Sequence, residues 1–272
     1  MADVPEWATG VDVDRPSAAR IYDYALGGSH NFAADREAYA DVVTTFPDAP
    51  LVARSNRLFL HRAVRHIVTD LGVTQFLDLG SGVPTVGNVH QIAQNIDPRA
   101  RVVYVEIDPV AVAHAEILLA DNPRATMLRA DVRDPAAILR SEQVTSLLDL
   151  SRPVAVLMVT VLHFIPDADS PAGIVRAFRD ATVPGSAVAV SHLIAGDWDD
   201  ESGNVEQVYN RTSTGINPRS RAEIAGLLDG YDLVEPGLVY SPLWRPDPGP
   251  AGLDPLTDDP ARSVALAAVG RR

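Results

Sequence analysis

The stretch Phe76-Leu77-Asp78-Leu79-Gly80-Ser81-Gly82 decides the fold. A short apolar run carries an acid, Asp78, and passes into a turn with glycine at Gly80 and Gly82; a helix is expected to open near Val86. Glycines let backbone N–H groups approach a ligand closely, and the N-terminus of the following helix favours the ligand's negative part. By itself the turn has low specificity, because many strand-to-helix turns hold two glycines.

Working outward, short β-rich runs alternate with helical patterns from residue 75 onward, which is the pattern of a parallel sheet with crossover helices. Strands are expected over 75–79, 101–106, 126–129, 154–159 and 186–191, with two more over 233–239 and 263–269. Most are apolar throughout rather than alternating, as strands covered on both faces should be. Asp108-Pro109, Asp134-Pro135 and Ser170-Pro171 each set a capping oxygen before a proline at the first helical position. Ser220 and Glu223 have capping-box spacing. Ahead of the sheet, residues 50–71 form an amphipathic helix with Phe59, Ala63, Ile67 and Leu71 on one face and arginines mostly elsewhere, expected in solvent or paired with the acidic excess. Residues 16–39 read as helix interrupted at Gly27-Gly28. The division expected is a helical cap over 1–72 and an α/β core over 73–272.

Composition removes whole classes of chemistry. With 46% apolar and 22% charged residues, the 272-residue chain can bury a full core, so global disorder is excluded. The net charge of −13 argues against tracking a phosphate backbone, so no nucleic-acid partner is expected. There is no Cys, which excludes disulfides, zinc–thiolate sites and thiol nucleophiles. There is also no Lys, since all 23 cations are Arg. That excludes a P-loop lysine and a Schiff base. The longest apolar stretch, 154–165, is broken by Thr160 and His163 and is too short to span a bilayer. The first sixteen residues lack the apolar region of a signal peptide. A cytoplasmic protein without a membrane partner is expected.

Three carboxylates mark the ends of the first three strands. Glu106 closes the second, 26 residues after Gly80, where an acid can accept hydrogen bonds from ribose hydroxyls. Asp108 is read instead as the cap of the helix opened by Pro109. Asp131, after the third strand, is placed to meet an adenine amino group, or else is a solvated turn acid. A nicotinamide dinucleotide uses similar geometry, but its G-x-G-x-x-G fingerprint has no acid just before the first glycine. Here Asp78 precedes Gly80, and Gly87 falls two positions too late. An acid-lined site suits S-adenosylmethionine, a sulfonium cation with an amino-acid tail, better than it suits a pyrophosphate.

Asp78-Leu-Gly80-Ser-Gly82, Glu106, Asp131 and Val161-Leu162-His163-Phe164 resemble the motifs of class I S-adenosylmethionine methyltransferases. More specifically, Ala19-Arg20-Ile21-Tyr22-Asp23-Tyr24-Ala25-Leu26-Gly27-Gly28, followed by Asn31-Phe32-Ala33-Ala34-Asp35-Arg36, resembles the S-adenosyl methyltransferase family long catalogued as a domain of unknown function. Ala53-Arg54-Ser55-Asn56-Arg57, Ser151-Arg152-Pro153-Val154 and Trp244-Arg245-Pro246 are similar to the same family. The resemblance implies a Rossmann-like α/β fold with a seven-stranded, mostly parallel sheet, an antiparallel last strand and an N-terminal helical cap near the cofactor. Pro84 stands where the general class has a third glycine, so the loop must take another path past the methionine moiety.

The cofactor-binding set expected is Asp78, Gly80, Ser81, Gly82, Glu106, Ile107, Asp131, Val132 and Thr160, with Tyr22 and Asn31 from the cap. Tyr24 and Asp35 are further lid candidates, against ordinary packing positions. His163 follows the fourth strand, where a neutral imidazole can take a proton from an acceptor, or else simply packs; His192 has the same ambiguity. The acidic run at residues 197–201 lacks the spacing of a calcium loop, so no metal is expected. The function expected is methyl transfer from S-adenosylmethionine to O or N of a small-molecule acceptor. The alternative is a sensor or partner protein that binds the cofactor without turnover. A homodimer is left open.

Overall fold

Alternation along β1 (Gln75–Leu79) sends Phe76 and Asp78 to one face of the sheet and Leu77 and Leu79 to the other. The computed structural model describes residues 12–84, 87–196, 209, 215–248 and 254–272. Within them β1 is joined by β2 (Arg101–Glu106), β3 (Ala125–Arg129), β4 (Ala155–Val159), β5 (Ala187–Leu193), β6 (Asp232–Leu233), β7 (Val239–Tyr240) and β8 (Ala265–Arg271) in one sheet. The order is β3-β2-β1-β4-β5-β8-β6, with β7 also on β8. The first five strands run parallel, while β8 is antiparallel to β5.

One expectation changes. The strand foreseen over 233–239 is two strands, β6 and β7, both pairing with β8, so the sheet has eight strands rather than seven. Pro236 has no N–H for the ladder, and Gly237 turns back to donate to the Val234 carbonyl. The edge is right, but it is interrupted.

Helices cover both faces. On one face α3 (Ala49–Thr69), α4 (Val89–Ile96) and α5 (Pro109–Leu119) bury Phe59, Ile67, Val112 and Leu119 against Phe76, Val102 and Leu157. On the other, α6 (Pro135–Arg140), α7 (Glu142–Leu147), α8 (Pro171–Ala181) and a helix over Arg221–Leu227 enclose Leu77, Val103, Met158 and Val190. The caps follow the sequence with one exception. Asp108 accepts from the N–H groups of Val110 and Ala111, Asp134 from Ala137, and Ser220 and Glu223 exchange bonds. Ser170, by contrast, adopts a left-handed conformation, and its side chain makes no cap.

The cap consists of α1 (Ala18–Ala25), α2 (Ala33–Thr45) and the start of α3. The arginines of α3 are not all in solvent. Arg62 is 2% exposed and donates to the Trp244 and Ser241 carbonyls, 3.5 Å from Asp254. Trp244 stacks edge-on against Phe59, so the late Trp-Arg-Pro stretch is pinned beneath α3.

The cap is fastened to the core by one buried cation. Arg20 Nε donates to Asp35 at 2.9 Å, and its Nη1 donates to Asp108 at 3.1 Å. Asp35 also accepts from the N–H groups of Ser17 and Phe32, which starts α2. Removing one member of a buried ion pair leaves the other uncompensated, at about 3–5 kcal/mol. Arg20→Ala should therefore lower the unfolding free energy by about 3 kcal/mol in urea titration. A loss below about 1 kcal/mol would mean that the cluster is exposed to water in solution.

Candidate functional site

β1 and β4 are neighbours in the sheet, but the chain leaves β1 toward β2 and leaves β4 toward β5. Such a switch point opens a crevice beyond the carboxyl ends of the strands. A cavity of about 720 Å³ occupies it, roofed by residues of α1, α2 and α3.

The glycine turn forms one wall. Gly80 and Ser81 donate to the Val105 carbonyl, which binds the turn to β2. Gly80 and Gly82 both have φ +67°, but for different reasons. A β-carbon on Gly80 would lie 2.4 Å from Val161 Cγ2, so this glycine is required by packing. A β-carbon on Gly82 meets nothing within 4 Å, and Gly82 lines the cavity.

Glu106 lies beside the turn. Its Oε2 accepts from Gly82 N at 2.8 Å, and its Oε1 accepts from the N–H groups of Ile107 and Asp108. Oε1 has both acceptor positions used; Oε2 keeps one. Burial raises the pKa of Glu106, against the three N–H donors that lower it. Asp78 is 6% exposed on the same face of the sheet. Burial pushes its carboxyl up to about 7, opposed by Arg57 and reinforced by Glu106. A carboxyl in this condition ionises fully when a cation is brought beside it.

The opposite wall is built where β4 and β5 end. Thr160 holds φ +55°, a strained conformation for a β-branched residue. It is fixed by its N–H to Ser191 and by its hydroxyl to the Val159 carbonyl. Ser191 donates to Asn56 Oδ1 at 2.6 Å, and Asn56 Nδ2 donates to Tyr22 Oη at 3.0 Å. Tyr22 Oη in turn donates to the Ala53 carbonyl. One chain of hydrogen bonds thus joins α1, α3 and the ends of β4 and β5.

His163 is 3% exposed, in a single helical turn over Leu162–Phe164. Its Nδ1 is buried with no partner among the described residues. Burial, then His192 and Arg219, hold its pKa well below 6.5, so the ring is neutral. His192 is committed elsewhere: Nδ1 faces its neighbour's carbonyl at Leu193, and Nε2 accepts from Arg219. Burial pulls its pKa down to about 4. Arg219 also donates to the Leu162 and Ile165 carbonyls and to Asp167, which clamps the loop that carries His163.

Asp78, Gly80, Ser81, Gly82, Glu106, Ile107, Asp131, Val132, Thr160, Tyr22 and His163 all line the cavity. Asn31 does not line it: its amide donates to Asp23 and the Gly28 carbonyl, which closes the α1–α2 turn. Tyr24 is 38% exposed and stacks on Tyr39, and Asp35 holds Arg20 rather than a ligand. Asp131 lies at the cavity, but both its oxygens accept from Arg133, which lowers its pKa. The acidic run 197–201 lies outside the described residues; among those described, no group of three acids or histidines could hold a metal. Also among the described residues, no helix is long and apolar enough to cross a membrane. Sequence reasoning did not assign roles to Asn56, Arg57 and Tyr39. The signal for the first two was the resemblance of Ala53-Arg54-Ser55-Asn56-Arg57 to the family, which marks the stretch without saying what each side chain does.

Comparison with known proteins supplies the ligand. The profile described as S-adenosyl methyltransferase matches residues 5–272. A candidate methyltransferase from Thermobifida fusca YX is 38% identical, with 100% of this chain and 99% of that one covered at a TM-score of 0.89. A protein of the DUF574 family from Streptomyces avermitilis MA-4680 is 36% identical, with coverage of 96% and 100% and a TM-score of 0.89. The mitomycin 7-O-methyltransferase MmcR, at 20% identity, shares the fold over 92% of this chain and 62% of its own, with a TM-score of 0.50. Among curated proteins nothing matches. The chain belongs to the S-adenosyl methyltransferase family, its fold is that of the class I methyltransferases, and its cofactor is S-adenosylmethionine.

The pKa of Asp78 gives a test without any ligand. An acid whose pKa rises on folding, here from 3.8 to about 7, stabilises the fold below its unfolded value and loses that contribution as pH climbs through 7. Asp78→Asn removes the titration. Between pH 4 and pH 7.5 the wild type should lose stability relative to this variant, by at most on the order of 4 kcal/mol. Parallel urea curves at both pH values would show that Asp78 ionises normally.

Proposed function

We propose that the chain transfers the methyl group of S-adenosylmethionine to an oxygen or nitrogen of a small molecule, with the cofactor over β1, β2 and β3 and the acceptor over β4 and β5. The observation that carries this reading is the continuity of one cavity from Gly82, Glu106 and Asp78 to His163. The open space over Gly82 and the two acids with raised pKa fit a cofactor with a ribose, a sulfonium and an ammonium group.

When bound, S-adenosylmethionine supplies an electrophilic methyl on a positively charged sulfur. Asp78 would receive the ammonium group, while the free acceptor position on Glu106 Oε2 would take a ribose hydroxyl. Ile107 and Val132, both on the cavity wall, would flank the adenine. Asp131, held by Arg133, reaches the adenine edge only through the lone pairs that pairing leaves. Thr160 and Tyr22 line the same cavity and would confine the reacting end of the cofactor. Bound there, the cofactor would give its methyl to the acceptor atom, with the carbon–sulfur electron pair left on sulfur. The acceptor's proton passes to the neutral His163 and on to water. The remaining work is orientation, which in-line transfer rewards most.

Incubation with labelled S-adenosylmethionine and a cell extract tests the reading: label in a small-molecule fraction, with release of S-adenosylhomocysteine, supports it. Tight cofactor binding without release in any extract would favour a binding protein without turnover. Glu106→Ala should weaken cofactor affinity at least about tenfold, or roughly 1.4 kcal/mol, by calorimetry. Gly82→Val should abolish binding while far-UV circular dichroism stays at the wild-type value. Normal binding by either folded variant would remove that residue from the site.

A further inference from the structure

The cavity has two unlike halves. Over β1, β2 and β3 its wall carries Asp78, Glu106, Asp108, Asp131 and Arg133. Over β4, β5 and the start of β8, and beneath α2, the described lining residues include no charged side chain. Val42, Phe46, Val52, Phe164, Leu193 and Ile216 form most of this half. In a chain with net charge −13, so large a surface without charge needs an explanation. Apolar lining with a few placed polar groups is what a site for an apolar ligand requires.

The polar groups are few. Tyr39 Oη and His163 Nδ1 are buried and have no partner among the described residues, and both residues line the cavity. Tyr209 lines it too, and its hydroxyl interacts electrostatically with those of Tyr39 and Tyr22. Buried polar atoms without partners are costly, and a ligand hydroxyl or amine relieves that cost. Arg57 of α3 also lines the cavity, but it acts on Asp78 and Tyr22. A ligand carboxylate, sulfonate or phosphate between α2 and the ends of β4 and β5 would therefore be stripped of water with no cation of those elements to receive it.

We infer that the acceptor is an uncharged, largely apolar molecule of one or two rings, whose few polar substituents are uncharged and include the hydroxyl or amine that is methylated. This deepens the methyl-transfer reading and rests on it. The methylated substituent lies toward His163, and the rings lie between α2 and the ends of β4 and β5. Specificity comes from exclusion of charge rather than from a dense set of hydrogen bonds.

Calorimetry on the full chain saturated with S-adenosylhomocysteine separates the two claims. If S-adenosylhomocysteine itself fails to bind, the methyl-transfer reading falls. With it bound, the probes are 2-naphthol and naphthalene-2-sulfonate, which share a ring system and differ in charge. 2-Naphthol should bind at least about tenfold more tightly than the sulfonate. Equal or tighter binding of the sulfonate would overturn the inference and leave the cofactor site intact. Val42→Asp places a charge in the apolar half and should lower 2-naphthol affinity at least about tenfold, with S-adenosylhomocysteine affinity unchanged. Val52→Trp, at a half-buried position that folds more readily, fills the same space and should do likewise. Undiminished 2-naphthol binding by a folded variant would place the probe elsewhere and overturn the assignment.

Discussion

Arg20 in its place between Asp35 and Asp108 is the contact on which the architecture of the site depends. Its guanidinium is 3% exposed, and a buried cation persists only when its donors are met by charge and hydrogen bonds together. Asp35 and Asp108 meet two donors, and the Asp12 and Arg15 carbonyls meet a third, Nη2. Each acid does a second job: Asp35 starts α2 through Phe32, and Asp108 starts α5 through Val110 and Ala111. Two helix starts and the N-terminal chain therefore converge on one side chain. Because Asp108 is two residues past Glu106, the roof of the cavity and the loop that carries Glu106 are fixed together.

That coupling bears on the electrostatics below. Glu106 and Asp78 are buried on one face of the sheet, and burial raises both pKa values. Three backbone N–H groups hold the Glu106 carboxylate in place, so its direction is set before any ligand arrives. Asp78 is different, since burial is opposed by the charge of Arg57, which lines the same cavity. Glu106 thus supplies position, and Asp78 supplies negative charge that a cation calls forth. A chain without lysine has only guanidinium to balance such acids. Guanidinium stays charged when buried, so a change of balance with pH comes from the acids, Asp78 first.

Much of this was legible in the sequence, for physical reasons. Strands β1, β2, β4 and β5 are covered on both faces and so read as largely apolar runs, whereas β3, at the sheet edge and half-buried, carries a weaker pattern. All five end within a residue or two of where their patterns stop. Asp108 was separable from Glu106 because Pro109 marks a helix start. What escaped were matters of partnership. Asn31 and Asp35 belong to a polar N-terminal motif, and sequence does not say whether a polar side chain faces a ligand or closes a turn. Asp131 lies two residues before Arg133, and only coordinates show that the two pair. The strand foreseen over 233–239 failed at Pro236, whose missing N–H breaks a ladder on an edge already short. Arg62 carries helix-surface chemistry, yet it is buried because the segment from Ser241 to Trp244 crosses above it.

The neutral histidines complete the electrostatic argument. His192 is neutral first because it is buried and also because Arg219 donates to its Nε2, a contact an imidazolium could not accept. Its role is to anchor Arg219, and Arg219 in turn orders the loop that carries His163. His163 is neutral because it is buried near two groups that disfavour a further positive charge. In the proposed reaction a sulfonium in the same cavity would add a third such influence, so His163 would hold no proton while the methyl donor is charged. Loss of the methyl would remove that positive charge from sulfur as the acceptor becomes acidic. The charge in the cavity would then stay nearly constant if the proton moved to His163 as the methyl left. A buried neutral imidazole would suit the proposed chemistry for that reason, since it would gain basicity only as the sulfonium lost its charge.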